Sequence, residues 1–296
     1  MVLDELLPIF SSILLFIASP IYDSVERKIR ARLQSRMGPK GVVRSFLQSW
    51  FDLLKLLNKE LVVPGLGVAV IAAVELFLLS LTGVALQITI ISRAFESMAL
   101  FVTLLSASSA FSLVRAASLD NPYSFIGAFR EFNIVLSVES FFIPALVASL
   151  AIEGVTWFKT PMMVIIAIAC YVLSSRTPFD IAEAEPELAS GVYIELSGPL
   201  LAFTLYSLYI RRYIMMQILA YIIVEAFIAY PTLQLLLTIV LVPMLWLVFT
   251  VISVVLARTR VDVGPRTLFK VMLVLLLIAI FLFVFQELMH QIYAMR

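Results

Sequence analysis

The sequence predicts an all-α, polytopic membrane protein with about eight transmembrane helices and one amphipathic helix at the membrane surface. Hydrophobic residues make up 62% of the 296 residues, charged residues make up only 14%, and the mean hydropathy is +1.06. A water-soluble domain of this length could not bury so much apolar surface. The charged residues are concentrated in a few loops, which leaves long apolar runs between them. We therefore expect a single membrane domain over residues 1–296.

Eight apolar stretches are candidate membrane spans, since a helix needs about 20 mostly apolar residues to cross a bilayer. They cover residues 2–22, 66–92, 96–117, 134–152, 161–175, 198–230, 233–257 and 267–290. The fifth stretch is short, and the sixth is long and interrupted by Arg211 and Arg212. The sixth could form one helix or two half-spans. We favour one helix, because each half would be too short to cross alone.

The basic residues predict an orientation. Four polar segments fall on one side of the membrane: residues 23–65, 118–133, 176–197 and 258–266. With their flanks they hold 16 of the 21 Lys and Arg residues. Cytoplasmic loops carry an excess of these residues, so we expect a multi-pass protein of the cell membrane with both termini outside. Asp4 and Glu5 precede the apolar residues 6–21 and no small-residue cleavage site follows them, which favours a retained span over a removable signal peptide.

The first polar segment contains a candidate surface helix at about residues 44–58. Its apolar residues recur at near-helical spacing, and its polar face carries Gln48, Asp52, Lys55 and Lys59. This pattern is typical of a helix that lies in the membrane surface. A basic anchor that only sets the topology is the alternative.

The segment 176–197 carries five carboxylates within 16 residues and one arginine, Arg176. The acidic residues are Asp180, Glu183, Glu185, Glu187 and Glu195. Repulsion between crowded carboxylates raises some of their pKa values towards neutrality, which suits groups that take up and release protons. An ordinary solvated acidic loop is the alternative.

Among the charged residues inside predicted spans, four stand out: Glu75 about ten residues into the second span, Glu139 about five residues into the fourth, and Arg211 and Arg212 near the middle of the sixth. A charge at the bilayer centre costs about 2.5 to 3.5 kcal/mol on insertion scales, and such residues usually face a polar cavity or an ion path. We therefore treat all four as candidates for an ion path. A structural ion pair between helices, such as Glu75 with an arginine, is the alternative.

Several functions are disfavoured by what the chain contains. It has one cysteine, Cys170, and one histidine, His290, which cannot supply the ligands of an iron–sulfur cluster, a haem or a structural zinc. It has no phosphate-binding glycine loop and no set of residues for nucleophilic catalysis. The net charge of +1 gives no reason to expect a nucleic-acid partner. We expect no catalytic residue, metal or cofactor in this chain, and any redox centre in another subunit.

Two ordered motifs carry a resemblance to a known family. The first motif runs from Glu26-Arg27-Lys28 through Gln34, Arg36, Gly38 and Pro39 to Asp52, Lys55, Lys59 and Glu60. The second runs from Arg176, Pro178, Phe179 and Asp180 through Glu183, Glu185 and Glu187 to Gly191, Glu195, Ser197 and Gly198. Weaker matches are Arg130 with Glu139, and Arg258 with Arg260 and Asp262. The chain resembles the proton-path membrane subunit of respiratory complex I, and its relatives in energy-converting membrane-bound hydrogenases.

The resemblance implies a position at the junction between a peripheral redox arm and a membrane arm. It implies that the segment 176–197 faces the redox arm and that Glu139 is an intramembrane relay carboxylate. The implied interface residues are Glu26, Arg27, Lys28, Arg36, Asp52, Lys55, Lys59, Arg130, Arg258, Arg260 and Asp262. Implied partners are the iron–sulfur and large catalytic subunits, small membrane subunits, antiporter-like subunits and membrane lipids. The iron–sulfur clusters, and the nickel–iron centre of a hydrogenase, would lie in those partners.

Two departures from the family pattern bear on the electron acceptor. Quinone-binding members usually have an aromatic residue where this chain has Leu196, and an acidic residue where it has Leu173. Together with Ser197-Gly198-Pro199 and the compact length, this favours the ferredoxin-linked hydrogenase or sulfane sulfur reductase type of archaea. A quinone-chamber subunit is the alternative. A free-standing carrier would also contain buried charges, but the chain has no inverted repeat.

Overall fold

A computed structural model describes residues 2–38, 41–62, 65–151, 157–181, 191–193, 195–228 and 230–294. Every regular element within these ranges is helical. The helices are α1 (Val2–Leu33), α2 (Val42–Phe46), α3 (Gln48–Leu57), α4 (Leu66–Ser92), α5 (Phe95–Ala117), α6 (Pro122–Ala151), α7 (Lys159–Leu173), α8 (Gly198–Glu225), α9 (Pro231–Val255) and α10 (Val263–Ala294). A 3₁₀ turn covers Gly191–Tyr193.

Seven of the described helices are long and apolar enough to cross a membrane. They are α1, α4, α5, α6, α8, α9 and α10, and they confirm the prediction of a polytopic helical membrane protein. The predicted fifth span is α7, which has only 15 residues and follows residues outside the described ranges. The predicted sixth span is one continuous helix, α8, as the length argument required.

Three predicted segments differ from the helices of the structure. Helix α1 does not end at residue 22 but continues to Leu33, because ion pairs one turn apart hold its polar part: Asp23 with Arg27 at 2.9 Å and Glu26 with Arg30 at 2.6 Å. Helix α6 begins at Pro122 rather than at residue 134. The predicted surface helix consists of two helices, because the chain bends at Leu47 between α2 and α3.

Helix α8 is the axis of the bundle. Within its most apolar 18 residues 89% are buried, whereas the corresponding share is 17 to 39% in the other six long helices. It packs against α1, α3, α4, α7 and α9. A helix buried on every side can present polar residues to several neighbours at once, which makes α8 the natural place for a site inside the membrane.

The four polar segments meet at one end of the bundle, which we call the polar end. Asp180 lies 2.6 Å from Arg258, Arg176 lies 2.8 Å from Glu26, and the Ser124 hydroxyl donates to the Gly191 carbonyl at 2.8 Å. Gly198 starts α8 there with a positive φ of +55°. A Cβ atom at this position would lie 2.6 Å from the carbonyl oxygen of Glu60, so glycine lets α8 approach the first polar segment.

Candidate functional site

A buried ion pair joins α4 and α5. The Arg115 Nε donates to the Glu75 Oε2 at 2.7 Å, and both residues are only 3% exposed. Glu75 lies nine residues after the start of α4, which corresponds to a depth of about 14 Å along the helix. Glu75 therefore forms the structural ion pair with an arginine that the sequence offered as the alternative to a place in an ion path. The Arg115 Nη1 has no hydrogen-bond partner among the described residues, although it is buried.

A small cavity lies beside this ion pair and reaches towards the polar end. Its walls include Glu75, Arg115, Glu131 and Arg211 on the membrane side, and Asp180, Phe179 and Tyr193 on the side of the segment 176–197. Its volume is about 40 Å³. One water molecule needs about 10 to 15 Å³ of such space, so the cavity has room for about three. It is therefore large enough for water but not for an aromatic ring system.

Glu139 and Arg211 lie deeper along the same route. Arg211 is 13 residues from the start of α8, at a depth of about 20 Å, and Glu139 is 17 residues from the start of α6, about 26 Å along that helix. Glu139 accepts a hydrogen bond of 2.7 Å from the Ser109 hydroxyl. Arg211 donates to the Ser108 carbonyl at 3.1 Å and to the Ser112 hydroxyl at 3.4 Å.

Arg211 interacts electrostatically with two carboxylates, Glu131 and Glu139, without closing an ion pair with either in the described part of the chain. Both glutamates are on α6, eight residues apart and so on one face of that helix. We call the five residues Glu75, Arg115, Glu131, Arg211 and Glu139 the carboxylate–arginine track. Its members alternate in charge from the cavity inwards, so a proton can be shared without leaving a bare buried charge.

Arg212 belongs to a different cluster, although it is the neighbour of Arg211. Adjacent residues of a helix point about 100° apart, and Arg212 turns towards α1. Its Nη1 lies 3.1 Å from Asp23, and its Nε and Nη2 donate to the carbonyls of Ser174 and Ser175. Asp23 also binds Arg27 at 2.9 Å and the Ser49 hydroxyl at 2.8 Å. The predicted pair of arginines therefore serves two separate sites.

Glu26 is the centre of a second buried group at the polar end. Its carboxylate lies 2.6 Å from Arg30 and 2.8 Å from Arg176, and it accepts a hydrogen bond of 2.7 Å from the Trp246 indole. The Arg176 guanidinium lies 4.8 Å from the centre of the Trp246 ring, a cation–π contact. Burial lowers the pKa of Arg176 to about 10, against the opposing attraction of Glu26. Arg176 therefore remains charged at neutral pH, and it depends on Glu26.

The carboxylates of the segment 176–197 have different environments. Asp180 accepts two hydrogen bonds from Arg258, at 2.9 and 2.6 Å, and forms a bidentate pair on the surface. Glu195 is described and half-buried. Glu183, Glu185 and Glu187 lie outside the described residues. The prediction that crowding raises the pKa values of this segment stays a prediction.

The other residues assigned to a redox-arm interface lie at the polar end. Arg27 bridges α1 to α3 and α8, with Asp52 and the Tyr209 hydroxyl each 2.8 Å away. The Lys28 amine lies 5.9 Å from the centre of the Phe46 ring. Arg36, Lys55, Lys59, Arg260 and Asp262 are exposed, and Arg130 is half-buried. Most of the assigned charges are therefore accessible to a partner at this end of the bundle.

Comparison with known proteins shows the family of this chain. The family model for NADH dehydrogenase matches residues 6–284. The chain belongs to the NADH dehydrogenase family. This confirms the resemblance inferred from the two motifs.

Relatives of this family member include subunits of several complexes. This chain is 29% identical over 237 residues to hydrogenase-4 component C of Escherichia coli, and the alignment covers 72% of this chain and 74% of the relative. Formate hydrogenlyase subunit 4 of Escherichia coli is 26% identical over 293 residues, which cover 89% of this chain and 94% of the relative. The NADH-ubiquinone oxidoreductase chain 1 of Mycosarcoma maydis is 28% identical over 222 residues, which cover 67% of this chain and 66% of the relative.

A solved structure has the same fold as this family member. A chain of the archaeal membrane-bound sulfane sulfur reductase complex aligns with a TM-score of 0.71 at 19% identity, covering 93% of this chain and 99% of that one. At that identity the likeness establishes the fold. Together the comparisons identify the chain as a membrane protein related to subunits of complex I, hydrogenase and sulfane sulfur reductase complexes.

Sequence reasoning missed Asp23, Arg115 and Glu131 in this family member. All three lie near the ends of predicted spans, where charged residues are common and therefore do not indicate a functional site. One signal was available, since Glu131 precedes Glu139 by eight residues and shares its helix face. In the described ranges no group of three or more His, Cys, Asp or Glu residues could hold a metal ion. The assignment of redox centres to partner subunits stays a prediction.

Proposed function

We propose that this chain is the membrane subunit that anchors a peripheral redox arm and couples its electron transfer to proton or sodium translocation. The observation that carries the proposal is the cavity beside Glu75 and Arg115. It brings Asp180, from the segment that the resemblance assigns to the redox arm, next to the inner carboxylate–arginine track. The arm would hold the iron–sulfur clusters, and antiporter-like and small membrane subunits would continue the ion path.

The coupling acts through charge. A unit charge that appears or moves about 8 Å from a carboxylate changes its ionisation free energy by about 2 kcal/mol at an effective dielectric constant of about 20. That corresponds to about 1.5 units of pKa. A rearrangement of Asp180 and its neighbours, driven by the redox state of the arm, is therefore sufficient to move a proton within the track. Arg211 interacts electrostatically with both carboxylates of α6, so a change in the charge of one affects the other.

The anchoring role rests on the polar end. Exposed basic and acidic residues there, including Lys55, Lys59, Arg260 and Asp262, form the surface that would meet the arm. With this assignment the polar end is on the cytoplasmic side of the membrane and both termini are on the outer side. The excess of basic residues in the four polar segments supports this orientation.

The test replaces Glu139 by Gln in the assembled complex and measures ion uptake by vesicles during oxidation of reduced ferredoxin. We expect ion uptake per electron to fall at least tenfold, while electron flow continues or slows. Glu139→Asp, which keeps the titratable group, should restore part of the uptake. Glu96→Gln is the matched control, because Glu96 is exposed near the start of α5 and outside the track. Unchanged uptake per electron in Glu139→Gln rejects the relay role.

A quinone-chamber subunit is the second candidate, favoured by the similarity to NADH-ubiquinone oxidoreductase chain 1. Against it, Leu173 and Leu196 are both buried apolar residues, each 5% exposed, where quinone-binding members usually have an acidic and an aromatic residue. Quinone-site inhibitors should block turnover if this candidate is right. Insensitivity to them, with hydrogen or sulfide as the product, excludes it.

A further inference from the structure

A groove of about 470 Å³ lies between α6 and α10 on the outside of the bundle, near the polar end. Its walls include Asn133, Leu136 and Ser137 of α6, and Arg266, Phe269 and Lys270 of α10. The Phe141 and Phe269 rings meet edge to face at 5.1 Å and join the two helices there. The groove is separate from the cavity beside Glu75 and from the carboxylate–arginine track.

Two cations in this groove form no ion pair within the described part of the chain. Arg266 and Lys270 are four residues apart on α10, so they lie on one face, and both are exposed. Neither makes an ion pair or a hydrogen bond with any residue that the structure describes. Arg266 lies in the first turn of α10, where the helix dipole disfavours positive charge. The one acid among the described wall residues, Asp262, leaves an excess of positive charge.

The apolar surface below these cations fits an acyl chain. Phe269, Leu273 and Leu277 follow one another at four-residue spacing down α10, and they are 45, 38 and 57% exposed. Leu136, 58% exposed, faces the groove from α6. A charged upper part and an apolar lower part at the membrane boundary match a phospholipid rather than a soluble anion, which would find no partner for the apolar surface.

We propose that this groove binds an anionic phospholipid, with its headgroup between Arg266 and Lys270 and an acyl chain along Phe269, Leu273 and Leu277. The Asn133 side-chain amide faces the same space and can donate to the phosphate or glycerol oxygens. A phosphatidylcholine headgroup would bring its own cation to the two bases and bind less well. Attraction of two basic residues, reduced by Asp262, gives about a tenfold preference for the anionic lipid. The site does not depend on the redox role proposed above.

The experiment uses the full chain in its complex, reconstituted into phosphatidylcholine vesicles that contain a small fraction of photoactivatable phosphatidylglycerol. We expect labelling of the peptides around Leu136 and Phe269, about tenfold stronger than with photoactivatable phosphatidylcholine. The double variant Arg266→Gln/Lys270→Gln should lose this preference. The control Arg32→Gln/Arg44→Gln removes the same charge from exposed positions outside the groove and should keep it.

Three outcomes overturn the proposal. The first is equal labelling by both lipids in the unmodified chain. The second is an undiminished preference in the Arg266→Gln/Lys270→Gln variant. The third is no labelling of the groove in the assembled complex, which would mean that another subunit covers it. Melting curves of the variants, compared with the unmodified chain, distinguish lost binding from lost folding, and both substitutions are at exposed positions.

Discussion

Replacing Glu26 by Gln should destabilise the protein strongly, because it leaves Arg176 charged and buried without a partner. The side chains of Glu26 and Arg176 are 2% and 0% exposed and lie 2.8 Å apart. Breaking a buried pair by removing one partner costs about 3 to 5 kcal/mol. Glutamine can still accept the hydrogen bond from Trp246, so the loss measures the charge and not the indole contact. For a chain of this size the expected fall in Tm is about 10 °C.

The pH dependence of this loss tests its cause. Burial already lowers the pKa of Arg176 to about 10, and without Glu26 the folded-state pKa falls further. In the unfolded chain the arginine keeps its ordinary pKa. At any pH between the folded-state pKa and this ordinary pKa, the unfolded chain therefore binds more protons than the folded chain, and the free energy of unfolding rises with pH. The deficit of Glu26→Gln should therefore be constant between about pH 6 and 8 and shrink as the pH approaches about 10.

The assay is thermal unfolding of the purified protein in detergent at a fixed scan rate, followed by tryptophan fluorescence. Glu96→Gln is the control, since it makes the same chemical change at an exposed position and should lower Tm by no more than about 2 °C. An unchanged Tm in Glu26→Gln refutes the reasoning. So does a deficit of the same size at every pH, because that would indicate a packing defect instead of an unpaired charge.

Two further predictions concern contacts between separate segments of the bundle. Gly198→Ala should destabilise the protein by at least about 2 kcal/mol in the same unfolding assay, because Gly198 has a positive φ and an added Cβ would lie 2.6 Å from the Glu60 carbonyl oxygen. The control is Gly67→Ala, which should cause no loss of stability because an added Cβ there has nothing within 4 Å. Arg115→Met should cost about 3 to 5 kcal/mol, and the double variant Glu75→Gln/Arg115→Met should recover more than half of it. Strictly additive losses in the double variant would contradict the buried ion pair.

The course of α8 could be predicted from the sequence because one physical rule decides it. A half-span on either side of Arg211 and Arg212 is too short to cross a bilayer, so one helix was required. The end of α1 could not be predicted in the same way. The apolar residues end near residue 22, but the helix continues to Leu33 because ion pairs such as Glu26 with Arg30 stabilise its polar part.

The candidate site was predictable only in part. Glu75, Glu139 and Arg211 attract attention because a charge in an apolar run is expensive. Their partners do not, since Arg115 follows Glu75 by 40 residues and meets it only through the packing of α4 against α5. The different orientations of Arg211 and Arg212 follow from helix geometry, but which neighbour each one meets depends on the arrangement of the whole bundle.

Redox-induced infrared difference spectroscopy on the assembled complex tests the central claim most directly. The account predicts that reduction of the arm changes a carboxyl C=O band, and that Glu131→Gln and Glu139→Gln each remove part of that change. Glu96→Gln should leave the spectrum unaltered. A difference spectrum without any carboxyl band, or one that both track variants leave intact, would mean that these carboxylates do not respond to electron transfer.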